Sequence, residues 1–277
     1  MTEEMSFLHR PQGDIKSTAK VKIYPDGTRK IYAASAPIFG ADGWELSDKT
    51  DNKTSRKRKT ESCAEDIWRA KRRAAAMLRD YALCNDFKWF VTLTLDKTKI
   101  DRYDIKAVVA KMRSWLDNRV RRKGLKYLLV PELHKDGAIH FHGFFNDCPL
   151  DFVDSGTLKV QGEKAPKKPR SAKAKRELLA AGALPVYNLS DWSLGFSTAI
   201  QIYGNYRAAV GYVTKYVTKE TEKIGGRWYY SGGDLKTPEV EYSDISFREL
   251  EAAGAYVLPL PTCALAILEV DGDITGD

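Results

Sequence analysis

Histidine and cysteine are both scarce in this chain of 277 residues, and each occurs only four times. The cysteines at positions 63, 84, 148 and 263 are far apart and form no CxxC pair. This spacing excludes a zinc ribbon and favours free thiols in a reducing cytosol. The opening residues MTEEMSFLHR also lack the basic start and apolar run of a secretory signal, so we expect a cytoplasmic location.

Long apolar runs are missing as well, and no stretch is long enough to span a bilayer, so any membrane role would be peripheral. The chain has no repeat at a solenoid period and no GxxxxGK[ST] loop, which excludes a fused helicase. Hydrophobic residues make up 43% and aromatic residues 11% of the chain, which is enough for a folded core. The length allows one large domain or two small ones.

Positive charge is in excess. The 45 Lys and Arg residues outnumber the 37 Asp and Glu residues, giving a formal net charge of +8. Such a balance favours a polyanionic partner such as DNA, RNA or an acidic membrane surface. Two basic segments stand out: 51–62 is either a solvated linker or a contact to the DNA backbone, and 162–176 is predicted to contact the DNA backbone.

The pattern predicts a central domain with an extension on each side. Residues 1–60 form an N-terminal extension with a hairpin around Pro25-Asp26-Gly27 and the basic linker. Residues 61–223 form the central domain, with a basic insert near 150–185. Residues 224–277 form a C-terminal extension with an acidic tail, in which the aromatics of 225–233 are predicted to pack on the core or, alternatively, to stack on bases.

The central domain predicts an α+β fold. A helix is expected over 62–83, and from residue 87 the order is strand, helix, two strands, insert, strand, helix. The expected ranges are 87–96, 101–124, 125–134, 138–146, an insert over 162–182 that ends in a short helix, a strand within 185–204 and a helix over 205–223. This order is that of a split βαβ (ferredoxin-like or RRM-like) antiparallel sheet with helices packed on one face.

Two of the four histidines lie in the strand AIHFHGFFN, residues 138–146. Side chains alternate along a strand, so His140 and His142 share a face. If the turn before this strand is the three-residue Lys135-Asp136-Gly137, then Glu132 lies opposite His140 on the same face. A two-residue turn would put Glu132 on the wrong side. The glycine in third position favours the three-residue turn.

Glu132, His140 and His142 would together offer two imidazoles and a carboxylate to a metal ion. Nitrogen and oxygen ligands without thiolate favour Mn²⁺ or Mg²⁺ over structural zinc. His134 shares the face, either as a fourth ligand or in an outer, exposed position.

The segment GYVTKYVTKE, 211–220, repeats the unit Tyr-Val-Thr-Lys. On a helix, Tyr212, Tyr216, Lys215 and Lys219 fall within an arc of about 100°, and the valines fall on the opposite arc. The β-branched content would also be compatible with a strand, on which the two tyrosines still share a face. A phenol is a poor nucleophile at neutral pH, and a neighbouring ammonium or a metal-bound phosphate reduces that obstacle. Two such units indicate two nucleophiles that act in turn.

Residues 87–220 resemble the HUH endonucleases, the rolling-circle replication initiators of small single-stranded DNA phages and plasmids. FVTLTLD, with Thr92 and Thr94, is similar to the first motif of that family, ELHKDGAIHFHGFF to the second and YVTKYVTK to the third. The paired tyrosines resemble the subgroup with two active-site tyrosines, as in initiators of microvirus-type phages.

The resemblance implies a site-specific DNA-nicking endonuclease and phosphodiester strand-transferase. Tyr212 or Tyr216 would attack a phosphate of single-stranded DNA at a replication origin, leaving a 5′-phosphotyrosine and a free 3′-hydroxyl. Lys215 and Lys219 would stabilise phosphate charge or assist proton transfer. A host DNA polymerase would extend the 3′-hydroxyl and a host helicase would unwind the duplex, in the cytoplasm of a bacterial host.

Three other functions are compatible with parts of the pattern. A transposase or conjugative relaxase shares the chemistry, but relaxases resemble a permuted arrangement and small single-strand transposases usually carry one tyrosine. A non-catalytic basic DNA-binding protein would bind without forming a covalent product. A structural metal module of His134, His140, His142 and Cys148 would unfold when metal is removed.

Overall fold

The chain divides into two compact units, each with its own antiparallel sheet. The computed structural model describes residues 19–35, 64–163, 165–204, 206–219, 222–259 and 263–271. The smaller unit combines residues 1–61 with 238–277, and the larger unit comprises 62–237. The predicted basic linker at 51–62 and the last residues of the acidic tail lie outside the described residues.

The smaller unit contains a five-stranded sheet and one helix. Its elements are β1 (Ala19–Ile23), β2 (Arg29–Ala34), β10 (Glu239–Ser243), α5 (Phe247–Ala252), β11 (Tyr256–Pro259) and β12 (Ala264–Val270), and the sheet order is β10-β1-β2-β12-β11. The predicted hairpin is confirmed: β1 pairs with β2, and Gly27 takes the left-handed conformation that the tight turn requires. The strands β10 to β12 were not predicted.

The larger unit contains a seven-stranded antiparallel sheet. Its strands are β3 (Phe87–Leu95), β4 (Tyr127–Leu133), β5 (Ile139–Asn146), β6 (Phe152–Lys159), β7 (Leu184–Leu189), β8 (Gly195–Gln201) and β9 (Tyr230–Gly232), in the order β6-β7-β8-β3-β5-β4-β9. Its helices are α1 (Ala64–Cys84), α2 (Ile105–Lys123), α3 (Ala172–Ala180) and α4 (Tyr206–Lys219). The predicted α+β class with an antiparallel sheet and extensions is confirmed.

Helices cover both faces of this sheet, and the prediction of helices on one face is wrong. On one face α2 buries Val108, Met112 and Leu116 against strand residues such as Val91 and Phe141. On the other face α1 and α4 pack over residues that include Leu128, Val130 and Phe144. The reason is visible in β4, whose first five residues are all buried, because a run of consecutive apolar residues is typical of a strand covered on both sides.

Strand β6 was missed because turn-forming residues interrupt it. Asp154, Ser155 and Gly156 are typical of a turn, yet they form a bulge where the register between β6 and β7 shifts. Gly156 has φ +70°. The bulge lets the strand continue past residues that normally end one.

The aromatics of 225–233 pack on the core, as predicted, and do not stand free to stack on bases. Trp228 is buried with α1 and α4, and Tyr230 is buried on the opposite face of the sheet. The short strand β9 adds to the edge of the sheet beside β4.

Gly143, in the middle of β5, is expected to tolerate no side chain. A Cβ at this position would lie 1.8 Å from the backbone oxygen of Leu128 on β4, so one strand would have to shift. We expect Gly143→Ala to lower the free energy of unfolding by about 3 kcal/mol. Urea denaturation followed by circular dichroism measures this, with Gly211→Ala as control, since a Cβ there meets no neighbour within 4 Å. Equal stability of the two variants would contradict the expected clash.

Candidate active site

The turn between β4 and β5 places Glu132 opposite His140. The loop has three residues: the amide of His134 donates to the carbonyl of Ala138 at 2.8 Å, and Gly137 has φ +83°. In the resulting register Glu132 pairs directly with His140. The predicted three-residue turn is confirmed, and it brings the carboxylate and both imidazoles to one face of the sheet.

Two threonines of β3 hold the histidines from the other side. Thr92 pairs with His142 and Thr94 with His140 in the register of β3 and β5. The Thr92 hydroxyl lies 3.0 Å from His142 Nδ1, and the Thr94 hydroxyl lies 3.5 Å from His140 Nδ1. With Nδ1 engaged in each ring, Nε2 is the nitrogen left to face the site. The sequence pointed to both threonines as a motif but gave them no role.

His142 and Glu132 form the best-buried part of the cluster. His142 Nε2 lies 2.9 Å from Glu132 Oε2, and their side chains are only 13% and 16% exposed. Burial lowers the pKa of His142, and burial also lowers that of His140, because desolvation disfavours the charged ring. Both imidazoles are therefore held in the neutral form that can act as a metal ligand.

The predicted tyrosine segment is helical and lies against this cluster. Val210, Val213 and Val217 are the buried residues of α4, as the helical pattern predicted. The ring of Tyr216 stacks on that of His142, with centroids 4.6 Å apart and planes 12° from parallel. Tyr212 is 51% exposed, and its hydroxyl lies 2.7 Å from that of Tyr216. Burial raises the pKa of Tyr216, so its phenol is protonated at neutral pH.

The two lysines of α4 differ in their contacts. Lys219 contacts Glu132 through an ion pair between Nζ and Oε1. Lys215 is exposed, and among the described residues its ammonium pairs with neither Glu132 nor the two histidines. The helix therefore brings Lys219, but not Lys215, into direct contact with the cluster.

His134 and Cys148 lie at the margins or outside the site. The His134 ring stacks 5.2 Å from that of His140, but its side chain is 58% exposed and Nδ1 lies 3.2 Å from Asp136 Oδ1. Cys148 follows the far end of β5, about 20 Å along the chain from His142, and packs against the core on the other face. The module that combined Cys148 with three histidines is therefore not assembled.

A comparison with known protein families places this cluster in a biological setting. Residues 88–221 match the model of the replication-associated protein ORF2 family. The matched range includes the whole cluster and supports a replication initiator, a class of protein that acts on DNA. No curated protein and no solved structure matches the chain. None of the helices in the described ranges is long and apolar enough to cross a membrane.

The donor set of this replication-associated region fits a hard or borderline divalent metal. Within the described ranges no three His, Cys, Asp or Glu side chains are already gathered closely enough to hold an ion. Lys219, however, contacts Glu132 as a cation would, and the two imidazoles present Nε2 to the same face. Glu132, His140 and His142 therefore fit such a metal once the Lys219 ammonium gives way.

Thr92 is expected to control how well His142 binds metal. In Thr92→Val the isosteric side chain can no longer hold Nδ1, so His142 loses its fixed tautomer and orientation. We expect Mn²⁺ affinity, measured by calorimetry, to fall about tenfold. Thr198→Val is the matched control, because Thr198 lies opposite Thr92 on β8 and has no described bond to a histidine. An equal loss in both variants would show that general disruption of the sheet, and not the Thr92 bond, is responsible.

Proposed function

We propose that the chain is a metal-dependent single-strand DNA endonuclease and strand-transferase that nicks a replication origin through a tyrosine and initiates rolling-circle replication. The observation that carries this is the stacking of Tyr216 on His142, which sets a nucleophilic side chain against a cluster of metal-ligating residues. The match of residues 88–221 to replication-associated proteins supports the biological setting.

Glu132, His140 and His142 would hold the metal, with Mn²⁺ or Mg²⁺ as the ions that suit these donors. Bound there, the ion supplies Lewis-acid polarisation and a template for a DNA phosphate. Thr92 and Thr94 orient the two imidazoles through Nδ1. Two imidazoles and one carboxylate leave room for phosphate oxygens.

The tyrosine oxygen attacks phosphorus, and the bond from phosphorus to the 3′-oxygen breaks. The products are a 5′-phosphotyrosine and a DNA strand that ends in a 3′-hydroxyl. The attacking phenol must lose its proton, and the 2.7 Å contact between the two hydroxyls gives each phenol a neighbour that can accept one. Tyr216 carries the first attack in this proposal because its ring contacts His142.

Lys219 stabilises charge on the phosphate. It reaches Glu132 and thus the edge of the cluster where the phosphate would bind. Lys215, one turn earlier on α4, assists from the exposed side of the helix by long-range attraction for the DNA backbone.

A second cleavage completes the cycle. A host polymerase extends the 3′-hydroxyl while a host helicase unwinds the duplex. Tyr212 then attacks the regenerated site, and strand transfer to the first phosphotyrosine closes a circle. No external energy source is needed, since each phosphodiester is exchanged for a bond of similar energy.

Covalent capture tests the proposal. The protein is mixed with a pool of labelled single-stranded oligonucleotides and Mn²⁺, and the products are separated on a denaturing gel. We expect a protein–DNA band that disappears with chelator and that protease converts to DNA carrying a short peptide on its 5′ phosphate. An enriched, tightly bound sequence that stays uncut would instead identify a non-catalytic DNA-binding protein.

Lys219 is expected to oppose metal binding and to favour cleavage. In Lys219→Met the Glu132 carboxylate loses its counter-cation, so Mn²⁺ should bind about fivefold more tightly, while the covalent yield should fall. Lys215→Met serves as the matched control and should leave Mn²⁺ affinity unchanged. Weaker Mn²⁺ binding by Lys219→Met would mean that Lys219 supports the site and does not compete with metal.

A further inference from the structure

An exposed phenylalanine lies in the same cross-strand row as the proposed metal ligands. Phe196 on β8 pairs with Thr94 on β3, and Thr94 pairs with His140 on β5. Residues directly opposite each other in an antiparallel sheet point to the same face. Phe196 is 69% exposed, which is the highest value for a large hydrophobic side chain in the described part of the chain. The site therefore has an uncovered aromatic ring on its own face.

The backbone that carries Phe196 is firmly held. The Trp192 indole, itself buried, donates to the carbonyl of Thr94 at 3.0 Å, and the amide of Asp96 donates to the carbonyl of Leu194 at 3.0 Å. At Gly195 a Cβ would lie 2.1 Å from the Thr94 oxygen, so β8 approaches β3 too closely for a side chain there. This segment cannot readily turn to bury the ring, although exposure of an apolar ring is unfavourable in water.

The distance from Phe196 to the ligands suits a nucleic-acid strand. Neighbouring strands lie about 4.8 Å apart, so the Cα atoms of Phe196 and His140 are about 10 Å apart, two strands away. That is the span of a nucleotide or two. A DNA strand with a phosphate at the cluster would thus carry a nearby base over Phe196.

The charges at this end of the sheet suit phosphates. Lys97 and Lys99 follow β3 directly and are exposed, and Lys135 is exposed in the turn between β4 and β5. The neighbouring carboxylates are already engaged: Asp96 accepts from Thr98, and Asp136 pairs with Arg102 at 2.9 Å. An aromatic ring beside exposed lysines is the usual composition of a surface that binds single-stranded nucleic acid.

We infer that Phe196 is a stacking platform for an unpaired base next to the scissile phosphate. The inference rests on the proposed function for the position of that phosphate. A base in a duplex is stacked between its neighbours and offers no free face, so the platform favours single-stranded DNA.

The test measures how much of the affinity depends on bases. Fluorescence anisotropy compares a labelled oligothymidylate with an abasic strand of the same length, in the presence of chelator so that no cleavage occurs. We expect the wild-type protein to prefer the strand with bases on the order of tenfold. Phe196→Ala and Phe196→Leu should lose this preference, and Phe196→Trp should keep it. Tyr256→Ala is the control, since Tyr256 is 64% exposed in the smaller unit and should leave the preference unchanged.

Each outcome decides one question. The inference is overturned if Phe196→Ala, checked for folding by thermal denaturation, retains the wild-type preference, or if the wild-type protein has none. Loss of the preference in Phe196→Trp, with Phe196→Ala unfolded, would also overturn it. Covalent capture with Mn²⁺ is run in parallel on the wild type. No capture combined with a preference that depends on Phe196 would refute the proposed nicking activity and leave the platform intact.

Discussion

Replacing both phenols, in Tyr212→Phe with Tyr216→Phe, is expected to abolish the covalent product and to leave DNA binding nearly unchanged. Loss of the nucleophile should reduce the rate by at least on the order of 10⁴-fold. The rings are retained, including the stacking of Tyr216 on His142, and the two lost hydroxyls bond to each other. The free energy of unfolding should therefore fall by only about 1 kcal/mol. Covalent capture and anisotropy on the same preparation separate the two effects.

The single variants should differ from each other. Tyr216→Phe is expected to lose most of the first cleavage, because Tyr216 is the phenol whose ring contacts His142. Tyr212→Phe should still form the first covalent product but should fail to release a closed circle, which labelled DNA on a gel reveals. The reverse pattern would assign the first attack to Tyr212.

Tyr206→Phe is the matched control on the same helix. The Tyr206 hydroxyl donates to the carbonyl of Ala82 at 2.6 Å, away from the histidines, and serves to join α4 to α1. Its loss should cost about 1 kcal/mol of stability and no covalent product. A large loss of product in this variant would mean that small shifts of α4 suffice to stop the reaction, and the effects of the other two substitutions would then not identify the nucleophiles.

His142→Ala should have the second large effect. It removes a proposed ligand and leaves Glu132 without its 2.9 Å partner. Since the loss of an outer partner of a metal ligand costs about 10- to 100-fold, the loss of the ligand itself should weaken Mn²⁺ binding by at least on the order of 100-fold. Calorimetry measures the affinity, and covalent capture should fail at any Mn²⁺ concentration that the wild type needs.

His134→Ala is the control that separates a ligand from a nearby imidazole. His134 lies beside His140 but is more than half exposed and is held by Asp136. We expect only a small loss of Mn²⁺ affinity. A loss equal to that of His142→Ala would make His134 a fourth ligand.

Local rules were sufficient to predict the geometry of the β4–β5 hairpin. Alternation along a strand placed His140 and His142 on one face, and Gly137 selected the turn that brings Glu132 opposite His140. The spacing of the valines likewise predicted which side of α4 is buried. These features depend on residues that are close in sequence, so the pattern contains the information.

Contacts between distant segments were not predictable in this way. The bonds from Thr92 and Thr94 to the histidines depend on the register between β3 and β5, which no local pattern fixes. The stacking of Tyr216 on His142 depends on how α4 crosses the sheet. The exposure of Phe196 depends on which parts of the sheet the helices leave uncovered. The bulge in β6 hid a strand behind turn-forming residues.

The closeness of the two phenols bears on the timing of the reaction. Because their hydroxyls already lie 2.7 Å apart, exchanging one for the other requires rotation of side chains and no rearrangement of the backbone. Rotamer changes of exposed side chains take picoseconds to nanoseconds. The protein thus adds no slow step between two successive cleavages, and the interval between them is set by the speed at which the copied strand returns the cleavage sequence to the site.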